Sequence, residues 1–541
     1  MKRLIITLAA AATAAGTSAQ QWGGLLMDKD LLMPTDMIEL SQTQFNFGTA
    51  RAMAMAGAFT SLGADLSSMS INPAGLGMYR HGDISITPMM SFARSKSNAP
   101  EYGRNSRDRF SMANIGVVIN AYEGSRSLIS LNIGFGYNRI ADFNYDYGFV
   151  RQNQRGTIGD AYARQLNWGG MSKNDFYNGG GSGDWNWNNF APEYWNAALA
   201  YRGFLIDQTD PNDPGTWKPT WVAPNAGVDH YTMLRSKGSV GEYVLSVGAN
   251  INNKIYIGAS LGIQSVYQRK YIDYVEEYFY DTPSQNTPDF GNSGLDYQLL
   301  RWKLNQSVIV DGTGVNFKFG AVVRPIENLR IGVAVHTPTL VSINEEYIEW
   351  MSADYKNTAR GELLDSPRSL NEYDINTPTR LLTGISYTLP GVGLITADYE
   401  RVWYNRMKLR NMGTENWDFQ QTINNEVSSF YQPANNFRVG IEATPAQNFY
   451  IRAGYANYGE CIATRDAFNN MSSINSYENY SAGLGFRFQN MYVDLAYIYT
   501  EYKYAPYTMF YYGDPDYVVN PGNVETKQSR NTITMSVGVR F

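Results

Sequence analysis

Cysteine, histidine and charged residues are all scarce in this sequence of 541 residues. The single cysteine, Cys461, permits no internal disulfide and no thiolate-based zinc or iron–sulfur site, because each of these needs two or more thiolates. With only 3 histidines, a histidine-rich metal or haem centre is disfavoured. Charged residues make up 17%, where a soluble domain has about a quarter. The mean hydropathy is -0.36, so apolar residues have not replaced the missing charge.

Excess positive charge and long apolar runs are missing as well. The 44 Lys+Arg face 50 Asp+Glu, a balance that argues against a nucleic-acid binder. The only extended apolar stretch is N-terminal, and it is shorter than the about 20 residues of a membrane-spanning helix. Residues 1–19 carry Lys2 and Arg3, then the apolar stretch, then small residues up to Ala19. We predict a cleaved signal peptide over 1–19 and an exported mature chain.

Glycine and tyrosine are abundant, and apolar residues recur with a period of two. At the C-terminus Ile533, Met535 and Val537 alternate with Thr534 and Ser536. This pattern predicts a strand with one apolar and one polar face. Fourteen such segments are predicted: Gly82–Ser95, Arg109–Tyr122, Arg126–Phe143, His230–Ile251, Lys254–Phe279, Leu295–Pro325, Leu329–Trp350, Thr379–Leu389, Val392–Arg410, Asn436–Thr444, Asn448–Tyr458, Tyr477–Gln489, Met491–Tyr504 and Thr526–Phe541. Within the sixth segment, Asp311-Gly312 could instead form a turn.

The connections between these segments alternate between tight turns and long polar loops, the longest at about 144–229. Such alternation is typical of an outer-membrane barrel, which has turns on the periplasmic side and loops outside. The predicted fold is therefore all-β: a closed antiparallel outer-membrane β-barrel of about 14 strands over residues 82–541. The alternative, a secreted propeller or a string of sandwiches, is disfavoured because no repeat of about 40 residues is visible.

The segment before the first strand differs in kind, because small residues dominate it. Thr49 can cap a short helix that ends near Phe59, whereas Asn72-Pro73 forces a turn. Residues 20–81 could therefore supply a plug for the lumen. A periplasmic tail or an ordinary helix is the alternative that these residues leave open.

Several motifs resemble the FadL/TodX family of outer-membrane transporters for hydrophobic compounds. The N-terminal ones are the run from Ala50 to Phe59 and the sequence Asn72, Pro73, Ala74, Gly75, Leu76. The C-terminal half adds Phe437 to Glu442, Ile451 to Tyr455, Tyr480 to Phe486 and Asp494 to Tyr497, and residues Thr379 to Tyr404 are also similar to the family. Two departures are the long stretch Gln20 to Gln44 and the long loop 144–229.

This resemblance implies a fourteen-stranded barrel closed by an N-terminal hatch that bears the motif Asn72 to Leu76. It also implies a kink in the third strand that opens a lateral gap through which an apolar ligand leaves for the membrane. On this sequence Gly134 or Gly136 could host the kink, since glycine tolerates irregular backbone. The hatch residues that could touch ligand are Phe45, Phe47, Met53, Met55 and Phe59, for which packing against the barrel wall is an equal alternative.

The long loop holds five tryptophans, Trp168, Trp185, Trp187, Trp195 and Trp217, and a predicted short helix around Glu193–Phe204. These aromatic side chains could capture an apolar ligand or pack the loop on itself, and we expect packing because long loops usually need a core of their own.

Enzymatic readings have little support. The histidines His81, His230 and His336 offer no nucleophile system, and neither a cofactor nor a metal site is predicted. The expected function is passive uptake of hydrophobic compounds such as long-chain fatty acids, by a monomer in the outer membrane of a Gram-negative bacterium. Its expected partners are outer-membrane lipid, the hydrophobic ligand and the barrel-assembly machinery, with no nucleic acid. The alternative is a structural or adhesive surface barrel that binds a partner through its loops.

Overall fold

A computed structural model describes most of the chain. The described residues are 34–43, 47–97, 104–125, 127–154, 156–180, 183–191, 194–220, 227–279, 299–355, 364–413, 417–463, 474–504, 512–514, 517–519 and 526–541. The predicted signal peptide over 1–19 and the candidate ligand contact Phe45 lie outside these residues.

Fourteen antiparallel strands form one closed sheet, as predicted. They are β1 Asp83–Ser97, β2 Arg104–Glu123, β3 Leu128–Asp142 with Tyr145–Gln154, β4 Val228–Ile251, β5 Ile255–Tyr278, β6 Leu299–Ile326, β7 Leu329–His336 with Leu340–Tyr355, β8 Ser369–Asn376 with Arg380–Leu389, β9 Gly393–Trp403 with Lys408–Arg410, β10 Pro433–Ala446, β11 Phe449–Tyr458, β12 Ile474–Phe488, β13 Met491–Tyr504 and β14 Thr526–Arg540. The first strand pairs with the last, from Asp83 opposite Arg540 to Ser97 opposite Thr526. Pairing of the first strand with the last closes the sheet into a barrel.

The alternation seen in the sequence sorts residues between the two faces of the wall. Apolar side chains on the outer face are exposed, for example Phe437 at 53% and Ile441 at 48%, whereas their inward neighbours Arg438 and Glu442 are buried. A soluble protein rarely exposes so continuous an apolar surface. A band of this kind is what a transmembrane barrel presents to lipid. Among the helices of the described residues, none is both long and apolar enough to cross a membrane.

Four strands, β3, β7, β8 and β9, are interrupted near their outer ends, and each consists of two parts. One predicted interruption does not occur: β6 runs without a break through Asp311-Gly312, which pairs with β5 on one side and β7 on the other. Because neighbours on both sides satisfy the backbone of β6, the turn that the sequence left open does not form.

Within the described part of the chain, six α-helices accompany the sheet: α1 Pro34–Ser41, α2 Ala50–Ala54, α3 Ser68–Ile71, α4 Ile158–Gly169, α5 Trp195–Arg202 and α6 Trp417–Phe430. Helices α2 and α3 belong to residues 47–79, which we call the N-terminal segment. It also contains a 3-10 helix, Pro73–Met78. Helices α4 and α5 belong to residues 156–220, which we call the outer lobe.

The outer lobe packs on its own aromatic side chains, as expected for this long loop. Trp185 lies 5.3 Å from Phe176 and 5.4 Å from Trp187, measured between ring centroids. Trp217 is buried, whereas Trp168 is 55% exposed. The predicted helix is present as α5. The predicted start of the loop at Asn144 is wrong, because Tyr145–Gln154 continues as a strand paired with β4.

Candidate functional site

The N-terminal segment contacts or lies against inward-facing residues of every strand in the barrel. Taken in strand order, one such residue per strand is Met89, Val118, Asn132, Val244, Ser260, Gly320, His336, Leu382, Asp398, Gly440, Gly454, Ser481, Ala496 and Ser536. The contacts therefore surround the segment on all sides. Several of its buried polar groups find partners on the wall, as where the Ala50 N–H donates to the Ser536 hydroxyl at 2.7 Å.

The motif Asn72 to Leu76 shapes the turn into the 3-10 helix. The Asn72 amide oxygen accepts the Ala74 N–H at 3.1 Å and so caps that helix. Its amide nitrogen donates to the Thr60 carbonyl at 2.6 Å, which ties the turn to the middle of the segment. Proline at the first helical position loses no hydrogen bond, since that N–H has no partner within a helix. The Asn132 side chain donates to the Leu76 carbonyl at 2.8 Å and so binds the turn to β3.

Inward-facing glycines allow the segment to approach the wall. A Cβ atom at Gly258 would lie 2.3 Å from the Pro73 carbonyl carbon, and one at Gly332 would lie 2.2 Å from the Thr60 oxygen. Neither position has room for a side chain. Gly134 and Gly136 serve the same purpose, because Cβ atoms there would lie 2.7 Å and 2.8 Å from the Met69 side chain.

The break that the structure shows in β3 lies elsewhere than at Gly134 and Gly136, and a kink that opens a lateral gap stays a prediction. Both glycines stand in regular ladders with β2 and with β4. The break in β3 falls at residues 143–144, next to Asp142. Opposite the break, Gly238 has φ +143, a conformation in which side chains are strained. Glycine is the residue that predicts a kink, but it occurs at many strand positions. At most of them it allows a neighbouring part of the chain to approach closely.

A buried ionic network anchors the middle of the segment. The Asp398 carboxylate accepts both the Thr60 N–H at 2.9 Å and the Thr60 hydroxyl at 2.7 Å. Close by, Glu400 pairs with Arg380 at 3.0 Å and with Arg438 at 2.8 Å. Buried charges persist only when paired and hydrogen-bonded, so losing one partner is costly. Sequence reasoning did not assign these residues a role, although their place on the polar face of alternating strands was visible.

A second network lies nearer the tight turns. Arg51 of α2 pairs with Glu442 at 3.1 Å, and Glu442 also binds Arg452 at 2.6 Å. Arg452 in turn pairs with Asp494 at 2.7 Å, which links β10, β11 and β13 beneath the helix. These ion pairs therefore link α2 to a series of charged side chains on the inner face of the wall.

Four candidate ligand contacts are buried against the wall. Phe47 and Met53 pack with Met89 of β1 and Ala496 of β13. Met55 and Phe59 pack in a second cluster that includes Leu382 of β8, and the Arg51 guanidinium lies 5.4 Å from the Phe59 ring centroid. The packing alternative thus describes their surroundings, and contact with ligand stays a prediction.

The wall has a discontinuity between β2 and β3. Their ladder ends at Asn114 opposite Asn138, and beyond it the outer part of β2 pairs with β1 alone among the described strands. The outer part of β3, Tyr145–Gln154, pairs with β4 instead. Residues Tyr145 to Val150 are buried on both faces apart from the half-buried Asp146, so this part has left the exposed surface of the wall.

Side chains rather than backbone bridge this discontinuity. Arg107 pairs with Asp146 at 2.6 Å, and the Arg109 guanidinium donates to the Asn144 amide oxygen at 2.9 Å. The inward-facing Ser95 hydroxyl donates to the Asp146 carbonyl at 2.6 Å. The outer part of β3 is therefore drawn toward β1, across the inner side of the outer end of β2.

Helix α1 lies against the same bent strand. Its Met37 and Ile38 are buried in an apolar cluster with Phe143. Glu39 pairs with Lys270 of β5 at 2.6 Å and accepts the Tyr145 hydroxyl at 2.9 Å. The stretch Gln20 to Gln44, which was a departure from the family pattern, thus includes a helix seated among residues of β3 and β5.

A polar cavity lies between α1 and the N-terminal segment. Lys318 pairs with Glu242 at 2.5 Å across it, and the ring nitrogen of His336 lies 2.9 Å from the Ile71 carbonyl. The Ser70 hydroxyl of the N-terminal segment donates to Glu242 at 2.8 Å. The acidic and basic side chains that line the cavity therefore bind one another and the segment. His336, weighed as a catalytic candidate, instead contacts the backbone of the segment.

The fold and these contacts define a closed fourteen-stranded barrel with an apolar outer band. No protein-family profile matches the chain, and no curated protein matches it in sequence. Among solved structures, the Pseudomonas putida toluene transporter TodX is similar over 93% of this chain and 99% of its own, with 11% identity and a TM-score of 0.50. The chain thus has the fold of the FadL/TodX family, as the sequence motifs predicted.

Two other solved structures resemble the chain. The monoaromatic hydrocarbon channel CymD aligns over 92% of this chain and 99% of its own, at 14% identity and a TM-score of 0.48. A Pseudomonas aeruginosa FadL homologue aligns over 92% and 98%, at 12% identity and a TM-score of 0.48.

Proposed function

We propose that this protein is an outer-membrane channel for passive uptake of hydrophobic compounds, such as long-chain fatty acids, and not an enzyme. The N-terminal segment acts as a hatch that closes the lumen. The ligand leaves sideways through the discontinuity between β2 and the outer part of β3. The observation that carries the proposal is that this discontinuity stands beside a segment anchored to all fourteen strands.

The physical logic favours a lateral route. An apolar solute gains about 0.8 kcal/mol per CH2 on leaving water for hydrocarbon, so transfer into the bilayer needs no energy source. A straight path would have to pass the anchored segment, whose residues such as Met53 and Phe59 are buried. The fold likeness to the toluene transporter TodX supports a hydrophobic solute.

The test is uptake of a labelled fatty acid and of labelled toluene by cells that lack other carriers. We expect the intact protein to raise uptake above an empty-vector strain. The double change Asn72→Ala and Pro73→Ala should change uptake, because it removes the cap and the pre-set turn of the 3-10 helix. Asn188→Ala in the outer lobe is the matched control.

The transport proposal is wrong if uptake by cells with the intact protein never exceeds uptake by the empty-vector strain, for any apolar solute tried. The surface-barrel alternative would then be favoured, with the outer lobe as its binding surface.

A further inference from the structure

Four cations stand side by side on the outer face of the barrel. Lys96 of β1 pairs in register with Arg104 of β2 on one side and with Lys527 of β14 on the other. Lys527 is in turn opposite Lys503 of β13. All four are exposed and on the outward face, because each is an even number of residues from an exposed apolar residue of its own strand. We call these four residues the cationic row.

The register makes this row unfavourable on its own. Side chains directly opposite one another in an antiparallel sheet have Cβ atoms about 5 Å apart, and like charges in such positions repel. Lys503 has an acidic partner, Glu478, at 3.0 Å. Within the described residues, Lys96, Arg104 and Lys527 have no hydrogen bond or ion pair.

The other described charges on these strands compensate the row only in part. Asp108 of β2 pairs with Arg94 at 2.5 Å. Glu501 of β13 stands two residues below Lys503, opposite Ser529. Among the residues that the structure describes, the row therefore keeps an excess of positive charge, which an external anion would neutralise.

The height of the row identifies that anion. The outermost apolar residues on the same strands include Phe92 and Ile533, and Lys96 is four residues beyond Phe92 toward the long loops. Four residues rise about 13 Å along a strand, which is about 10 Å in height for a strand tilted by about 40°. The row thus stands just above the hydrocarbon, at the level of lipid headgroups.

We infer that the cationic row binds the phosphate groups of lipid A in the outer leaflet. A phosphate accepts several charge-assisted hydrogen bonds from lysine and arginine, and a row about 15 Å long across four strands can span more than one phosphate. The inference concerns the wall of the barrel and holds whether or not the protein transports a solute.

The experiment uses the full-length protein in mild detergent, titrated with diphosphoryl lipid A or with lipid A from which both phosphates have been removed. Bound lipid is counted by native mass spectrometry. We expect the diphosphoryl form to bind at least tenfold more tightly. The triple change Lys96→Gln, Arg104→Gln and Lys527→Gln should abolish that preference, since each basic residue near an anionic surface adds about fivefold in affinity.

The control variant removes three exposed cations that already have acidic partners: Arg235→Gln, Arg301→Gln and Arg368→Gln. This control variant changes the net charge by the same amount as the triple variant of the row, and it should keep the preference for diphosphoryl lipid A. Lys96→Arg with Lys527→Arg should also keep it, which separates loss of charge from misfolding. Equal binding of both lipids by the unaltered protein, or a preference retained by the triple variant, would overturn the inference. Displacement by millimolar inorganic phosphate would also overturn it, because it would show a site for free phosphate.

Discussion

The N-terminal segment is almost entirely buried, whereas the outer lobe combines a buried core with exposed residues such as Trp168, and the two regions pack differently. In several places the segment brings its backbone directly against the backbone of the wall, as where Pro73 lies against Gly258. The lobe meets strands β5 and β6 through large rings, as where Trp302 contacts Tyr162 and Tyr274 at 6.3 Å and 6.1 Å. The space inside a ring of strands is set by strand number, whereas a lobe outside it must gain burial from its own side chains.

This difference teaches which changes each region tolerates. In the segment, added volume cannot be accommodated because backbone faces backbone. In the lobe, lost volume is the harmful change because the lobe packs on the barrel through large buried rings such as Trp302. Three experiments can break or sharpen this contrast.

The largest effect is expected from Gly258→Val. The valine side chain would overlap the Pro73 carbonyl carbon, which lies 2.3 Å from an ideal Cβ at this position. Pro73 cannot move away without disrupting the turn at Asn72. We expect the segment to be displaced and single-channel conductance in a planar bilayer to rise severalfold. Ala259→Val, one residue on and facing outward, is the control. Unchanged conductance in Gly258→Val would show that the segment does not close the lumen.

Trp302→Ala should loosen the lobe and leave conductance unaltered. Trp302 is completely buried, and truncation of such a residue costs about 3–5 kcal/mol. We expect protease cleavage within the outer lobe to accelerate by at least tenfold. The half-exposed Trp168, stacked on Arg164 at 4.0 Å, offers the control Trp168→Ala, for which little change is expected. A conductance change in Trp302→Ala would contradict the separation of the two regions.

The smallest effect concerns pH and Asp160, whose carboxylate accepts the Thr157 N–H at the start of α4. Burial, and then the charge of Glu276, raise the pKa of Asp160 to about 7. Because the folded lobe then holds this proton more tightly than the unfolded lobe, stability should fall as pH rises from about 4 to about 7, by at most about 4 kcal/mol.

Asp160→Asn should remove that part of the pH dependence, measured as the cleavage rate of the lobe between pH 4 and pH 8. Asp175→Asn, in a similar cap at an exposed site, is the control. An identical pH profile in Asp160→Asn and the unaltered protein would refute the assignment.

Much of the barrel was predictable, because lipid imposes one rule on every strand. Alternation such as Ile533, Thr534, Met535 requires only that one face be apolar, and it is visible locally. The position of the break in β3 was not predictable. A glycine such as Gly134 or Gly136 looks the same in the sequence whether it bends a strand or makes room for Met69. The partners of Asp398 and Glu400 were also hidden, because contacts such as Asp398 with Thr60 join residues far apart in the chain.

By itself, the sequence determined the number of strands, their faces and the order of turns and loops, because each depends on neighbours within a few residues. Only the tertiary structure decided where β3 leaves the wall, which glycines receive the N-terminal segment, and that Lys96, Arg104, Lys503 and Lys527 form one row. Those features depend on the register between strands, and closure of the sheet sets that register across the whole chain.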